Sequence, residues 1–560
     1  MAAQTNKKTY PSPDPLSLLI TEVLFDPEPT VGLPAYEYIE LFNRDRDTVD
    51  ILNWSIIVGE KEVVLSSYYL APGNFVVLSG LAGAQEFFDR NLPVLPVEKW
   101  ATLRNSGQFL ALLSPKGDII HFMTYHPAQF VDGLKQEGGW SLELADMDHP
   151  CRPEAWLPSL DFNGGTPGRG NSMCVTIMDS SPPLLSRVGV QDEGQLVVIL
   201  DKPVLPLTTR DWFSFMIEPS ILSIESWKYK DNQPWMIEIV LSGSIPHDRR
   251  FSLFVGGEAA DCTGAGLVSG KVEFGMPEIP DSGDVVISEI MFDPDDKQAE
   301  FLGIHNLSGK ILALNRLYIA ISDEEGVINR FSKPVTESFL MFPGQEYVLT
   351  SDKYLFSRMD ARIPSGRICE RSDMPALSNQ GSILCLMDEN QRLLDKVRYD
   401  PSWHDPRLNE TKGISLERIR LDITGLFSSN WHSASAVSGG STPGSLNSQR
   451  SVISDDPAVF SLENRVFCPN QDGSGDYLLI RVATGEPGWI GSAGVWDLSG
   501  NSVKVLSEPG ALPVTGVIKW DGSDKLGNQV PAGYYVVILN FIRANGSKGR
   551  WKEACVVIAY

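Results

Sequence analysis

One stretch of this chain occurs twice, and that repetition limits what the chain can fold into more than any other feature. Leu19-Ile-Thr-Glu-Val-Leu-Phe-Asp-Pro27 returns as Val286-Ile-Ser-Glu-Ile-Met-Phe-Asp-Pro294, matching Glu22 with Glu289 and Asp26 with Asp293. The match continues in register: Tyr36-Glu-Tyr-Ile-Glu-Leu-Phe-Asn43 faces Ala299-Glu-Phe-Leu-Gly-Ile-His-Asn306, and Leu103-Arg-Asn-Ser-Gly107 faces Leu377-Ser-Asn-Gln-Gly381. Ser141-Leu-Glu143 faces Ser415-Leu-Glu417. Trp156 and Trp431 then lead into Gly164–Gly168 and Gly439–Gly444, both ending Thr-Pro-Gly, and the copies close on Asn171 and Asn447. A segment with its own apolar runs, turns and closing loop, present twice, is a module that folds twice.

The period of those runs selects β structure. Leu18–Phe25, Tyr36–Phe42, Trp54–Val58, Glu62–Leu65, Phe75–Ser79, Phe109–Ser114 and Ile119–Tyr125 are short, rich in β-branched and aromatic residues, and separated by turn residues. Strands of this length and spacing argue for sandwiches or barrels. Residues 82–91 predict one short helix beside the sheet, and Asp352–Asp360 predicts its counterpart in the second copy. A chain of 560 residues suits about three to five domains.

The repeated segments resemble the lamin tail domain. The resemblance rests on Ile-x-Glu and Phe-Asp-Pro, on Glu-Tyr-Ile-Glu-Leu-x-Asn, on Leu52-Asn-Trp54, and on the closing Ser-Leu-Glu, Trp and Thr-Pro-Gly-x-x-Asn. It implies an immunoglobulin-like β-sandwich over 16–172 and again over 283–448. The second copy departs from the pattern, with Gly303 where the first has Glu40 and Arg316 where it has Trp54. Residues 173–282, with runs at Gln195–Leu200, Trp235–Leu241 and Phe251–Val255, resemble bacterial Ig-like domains. Residues 1–15 form a polar tail and 449–458 a polar linker. In 459–560, Pro469-Asn-Gln-Asp-Gly-Ser-Gly-Asp476, Trp520-Asp-Gly522 and Pro531-Ala-Gly-Tyr534 resemble the flagellar hook-capping Ig-like fold and the C-terminal domains of gliding-motility and type IX secretion substrates. The expected fold class is therefore all-β, with four Ig-like β-sandwich domains in series.

Charge and composition narrow the partners. A net charge of −24 opposes nucleic acid and anionic membrane surfaces, whose binding draws on Lys and Arg. No stretch approaches the ~20 apolar residues needed to span a bilayer as a helix. The N-terminus lacks the apolar core of a secretory signal, so either the protein is cytoplasmic or a leader has been removed; the expected location, extracellular, cell-surface or periplasmic, takes the second alternative. The seven Cys (151, 174, 262, 369, 385, 468, 555) show no zinc spacing and read first as buried reduced thiols.

The chemistry-bearing residues are few. No nucleophile elbow, zinc-protease, phosphate-loop or dinucleotide signature is present, so no catalytic residue is assigned. His126 and His404 stand apart from any nucleophile. Glu37 and Glu40, three apart in one strand, point to opposite faces. With Glu22 and Asp26 they read as solvent-face or edge charges. Asn470, Asp472, Ser474 and Asp476 place side-chain oxygens at alternate positions among glycines, which suits calcium; an ordinary polar turn is the alternative. Cys468 and Cys555, in the first and last strands of the C-terminal sandwich, are positioned to form a bridge.

These readings predict a non-enzymatic cell-envelope or surface protein whose sandwiches bind or space protein or glycan partners, with a C-terminal domain for export or anchoring. Two alternatives stand beside it: a permanent accessory subunit of a type IX secretion or gliding-motility assembly, and a hydrolase with an unrecognised site.

Overall fold

The structure, a computed structural model, describes residues 15–130, 133–152, 155–175, 181–204, 213–230, 233–247, 249–261, 264–295, 298–332, 338–352, 363, 365–371, 373–451 and 459–558. All but one residue of the predicted tail, most of the linker and nearly all of Asp352–Asp360 lie outside these. The chain divides into two compact units, one of Met1–Arg187, Asp192–Ser244 and Phe251–Glu273, the other of Val188–Gln191, Ile245–Arg250 and Phe274–Tyr560. The protein is all-β, built of paired sheets.

In the first repeat a six-stranded sheet runs in the order Trp156–Pro158, Leu142–Leu144, Leu18–Leu24, Tyr38–Asn43, Phe75–Gly80, Val94–Val97. A four-stranded sheet, Ile119–Tyr125, Gln108–Leu113, Ser55–Val58, Lys61–Val64, lies against it. Leu19, Ile39, Leu41 and Val76 from one sheet meet Ile56, Val58, Leu110 and Leu112 from the other in a single core. Each such side chain contributes about 1.5–3 kcal/mol by leaving water. The predicted helix is present at Leu81–Asp89 and buries Ala84 and Phe87.

The second repeat reproduces this arrangement strand for strand. Its six-stranded sheet runs Ile368–Glu370, Glu346–Thr350, Phe301–Asn306, Val285–Met291, Leu416–Arg418, Trp431–Ser433. The first strand of each repeat carries a bulge at the same place, after Ile20 and after Ile287. Matched residues do matched jobs: Phe25 stacks on Tyr125 at 4.5 Å and Phe292 on Tyr399 at 5.1 Å. Trp156 donates its indole N–H to Pro150 O, and Trp431 to Gly425 O.

Between the repeats a four-stranded and a three-stranded sheet pair through aromatics, with Phe213 edge-on to Trp227 and Tyr229. The C-terminal module pairs a three-stranded sheet with a five-stranded one, Ile480, Val482 and Trp520 facing Val495, Val537 and Leu539.

Two expectations about cysteine are corrected. Cys468 and Cys555 carry thiols and are not bridged. Their strands do pair, in parallel, but Val466 lies opposite Val556, which puts Cys468 about three residues, ~10 Å, beyond Cys555 along the ladder. A disulfide tolerates a Cα separation of only about 7 Å. Cys151, by contrast, is disulfide-bonded, and Cys174 is an exposed thiol, so these two are not buried reduced cysteines.

Candidate functional site

The acids of the repeated motif do not face solvent, as the sequence suggested. Registry sets Glu40 opposite Glu22 and Glu22 opposite Glu143, so three carboxyls stand abreast on adjacent strands. All three are fully buried. The reason is the Gly164–Asn171 loop, which folds over this outer face and turns its amides toward the carboxyls. Thr166 N donates to Glu22 Oε1 at 2.7 Å, Gly168 N to Glu40 Oε2 at 2.6 Å, and Ser172 N to Glu143 Oε2 at 2.6 Å. Ser141 and Thr21 hydroxyls complete the set, on Glu22 and Glu40 respectively. Burial pushes the Glu22 carboxyl up to about 7 and raises Glu40 well above the usual range, with the neighbouring Glu22 charge adding to the latter.

The second repeat keeps Glu289 and Glu417 on the same donors, Thr442 N and Ser415 Oγ to Glu289, Gln449 N to Glu417. Gly303 replaces Glu40, and a Cβ there would stand 2.8 Å from that of Glu289. The missing acid is supplied two pairs along, on the same face. Phe42 and Phe75, rings 4.7 Å apart in the first repeat, become His305 and Glu346, paired at 2.8 Å, with Ser288 Oγ donating to Glu346. Carboxyls so enclosed and so fully engaged anchor a loop. Asp26, partly buried, is not among them.

Glu37 diverges from Glu40, as expected for alternate strand faces. It borders a 420 Å³ groove lined by Pro27, Tyr36, Ser79, Leu81 and Trp100. Its Oε2 accepts from Trp100 Nε1 at 2.7 Å and Leu103 N at 3.0 Å, and burial raises its pKa. His126 is half-buried. His404 is buried and stands against Ser433 Oγ at 3.0 Å, its imidazole pushed down to about 4 by burial and then by His432.

In the Asn470–Asp476 loop Asp472 gathers Asn470 and Ser474, whereas Asp476 binds other amides of the loop. Asp476 accepts from Gln471 N at 2.6 Å and Gly473 N at 2.8 Å, Asp472 from Ser474 N at 2.8 Å and Asn470 Nδ2 at 2.9 Å. The oxygens thus serve the loop's own donors in the manner of Asx turns. Among the described residues no group of three or more His, Cys, Asp or Glu is arranged to hold a metal.

One arrangement has no signal in the sequence. Asp405 and Arg407 form an ion pair at 2.5 Å, and the guanidinium also donates to Gly488 O at 2.7 Å and Arg543 O at 3.2 Å in the C-terminal module. Burial opposes the Asp405 charge, but Arg407 and His432 hold its pKa well below the usual range. Ser435 Oγ to Ala511 O, Gln449 Nε2 to Leu512 O and Val514 N to Ser448 O extend the seam. Repeat and C-terminal module are thereby joined by several hydrogen bonds, those of Ser435 and Gln449 buried.

No family model matches the chain, and no curated protein matches it. Among solved structures it is similar to dimeric latent PorU from Porphyromonas gingivalis, at 12% identity and TM-score 0.15, covering 73% of this chain and 36% of that one. It is similar to PorZ, a bacterial surface component of the type-IX secretion system of P. gingivalis, at 12% identity and TM-score 0.16, covering 90% and 74%. The N-terminal part of the bacterial S-layer protein SbsC gives 13% identity and TM-score 0.17, covering 40% and 44%. The chain thus spans well under two thirds of PorU and of the SbsC fragment.

Proposed function

We propose that this is a non-enzymatic protein of a bacterial envelope or surface, in which lamin-tail-like and Ig-like sandwiches hold and space protein or glycan partners. The observation that carries this reading is the use of the motif acids. In each repeat the carboxyls that could have done acid–base work are buried under a closing loop and bound to its amides. What remains exposed is loop and edge on a stiff scaffold, which suits recognition. The test is compartment. A membrane-impermeant maleimide should reach exposed Cys174 in intact cells of the source organism, and labelling only after lysis would overturn the reading.

The seam between the second repeat and the C-terminal module favours a second reading, that of a permanent accessory subunit of a type IX secretion or gliding-motility assembly. A module fixed by Arg407, Ser435 and Gln449 is built to stay with its chain. Stoichiometric recovery with translocon components from envelope fractions supports it, and release of free chain into the medium counts against it. The Asn470–Asp476 loop is read as a weak calcium site within the same module.

A further inference from the structure

A groove of the first repeat sets aromatic rings beside a carboxylate, and the second repeat shows which of its residues the fold itself requires. Glu37 and Glu300 hold matched places. Leu103 N donates to Glu37 Oε2 at 3.0 Å and Leu377 N to Glu300 Oε2 at 2.9 Å. Ser79 Oγ and Thr350 Oγ1 donate to the main-chain oxygens of the two glutamates at 2.8 and 2.9 Å. That much builds the module. The surroundings of the glutamate differ. Tyr36 stands where the second repeat has Ala299, and Trp100, three residues before Leu103, where it has Met374. Both aromatics line the 420 Å³ groove with Glu37. Gly80 and Gly83 make room for them: a Cβ at Gly80 would come 3.3 Å from that of Trp100, and one at Gly83 2.8 Å from that of Tyr36.

The groove is negative. After burial, the charge of Asp26 is what raises the Glu37 pKa. Among the described residues that line the groove none is Lys or Arg. The start of the helix Leu81–Asp89 borders it as well, but that end carries about half a positive charge against two carboxylates. The balance calls for a cation, and aromatic faces beside a carboxylate suit an organic one. Which cation follows from the hydrogen bonds. Glu37 Oε2 is taken by Trp100 Nε1 and Leu103 N, which leaves Oε1 without a donor among the described residues. A guanidinium fork seeks two oxygens at once, whereas an ammonium is served by one. Lysine also brings an apolar stem to lie along the rings.

Resting on the reading of the chain as a scaffold of binding modules, we propose that the groove lined by Tyr36, Glu37 and Trp100 receives a lysine side chain of a partner protein. The ammonium meets Glu37 Oε1 and the methylenes lie against the two aromatic rings.

The test is saturation-transfer NMR on the full chain, with Nα-acetyl-lysine methylamide as the probe. A chain of net charge −24 gathers ammonium ions diffusely, so the controls are variants of the chain itself. Glu37→Gln keeps an acceptor for Trp100 and Leu103 and should weaken binding about fivefold. Tyr36→Ala with Trp100→Met, which copies the second repeat and so keeps the fold, should weaken it by about as much. Glu300→Gln should change nothing. The norleucine analogue, which has the stem and no ammonium, should give no signal, and the arginine analogue a weaker one. Equal binding by the chain and Glu37→Gln, equal signal from norleucine, tighter binding of arginine, or no saturation at all would each overturn the proposal. If Cys174 is labelled only after lysis and the Glu37→Gln loss is seen, the compartment fails and the groove stands. If Cys174 is labelled in intact cells and that loss is absent, the groove fails and the compartment stands.

Discussion

His121 and Asp395 accept a hydrogen bond from the same backbone amide in their respective repeats. Ile20 N donates to His121 Nδ1 at 2.9 Å, and Ile287 N donates to Asp395 Oδ2 at 2.9 Å. Each amide sits at the bulge that sets the acid row. The neutral acceptor faces Pro150 O with its other nitrogen, whereas the carboxylate needs a cation. Arg418 supplies it at 2.7 Å, in the strand position that Leu144 fills in the first repeat. Removing one partner of a buried ion pair strands the other charge. Arg418→Leu should therefore cost about 3–5 kcal/mol. The double change Asp395→His with Arg418→Leu, which copies the first repeat, should recover most of that. Hydrogen exchange of the Val285–Met291 amides measures both, and additive losses would refute the coupling.

The first repeat predicts two opposed pH dependences. Glu22 is pushed up from 4.5 to about 7 by burial, so the folded form holds a proton that the unfolded chain releases. Its contribution is fully present below about pH 4.5 and is lost as pH rises through about 7. His121 is pushed down from 6.5 to about 4 by burial, so its contribution is present above pH 6.5 and is lost as pH falls toward 4. Glu22→Gln keeps an acceptor for Ser141 and Thr166 and removes only the first dependence. Exchange of the Leu18–Leu24 amides should then show stability falling less, or rising more, between pH 4.5 and 7 than in the parent chain, with the dependence of buried Glu40, of the same sign as that of Glu22, still present. A uniform offset with the slope unchanged would count against it.

The strands, the turns and the repeat were legible because they depend on neighbours in sequence. The state of the acids was not. Glu22 looks like an outward residue in its own strand, and it is buried only because Thr166, 144 residues away, lays its amide on it. The same holds for Cys468 and Cys555: pairing of their strands could be expected, but the offset of the ladder that separates them is set by the whole sheet. The exchange of Phe42–Phe75 for His305–Glu346 was visible as unmatched letters, and its meaning needed the registry that makes each pair cross-strand neighbours.

Arg407 should act as the clasp between the second repeat and the C-terminal module. Arg407→Ala removes donors from Gly488 O and Arg543 O and leaves the Asp405 carboxylate with His432 and the backbone N–H of residue 407. Charge-assisted bonds of this kind are worth about 1.5–3 kcal/mol each when buried, and partial exposure here puts the total nearer about 2 kcal/mol. Exchange should quicken by about tenfold or more across residues 488–490 and 543–547, with the Ile480 and Val537 core amides unchanged. Arg407→Lys should not restore protection, because an ammonium lacks the planar fork that reaches two carbonyls at once. Full rescue by lysine would reduce the contact to its charge.

The Asn470–Asp476 loop should bind calcium weakly and at a structural expense. Only Asp472 and Asp476 carry charge there, and Asn470 first, then Ser474 N, hold the Asp472 carboxyl below its ordinary pKa. A cation would have to draw the Asp476 oxygens away from Gln471 N and Gly473 N. Two carboxylates with that competition place the affinity at about 10⁻⁴–10⁻³ M, the range of extracellular calcium modules. A chain of net charge −24 also collects cations diffusely, so the comparison must be internal. Calorimetric titration of the full chain with calcium at millimolar concentration should give heat that Asp472→Ala abolishes. Magnesium, which demands a tighter octahedron, should give none. Heat equal in chain and variant would leave the loop a polar turn whose acids do no more than fold it.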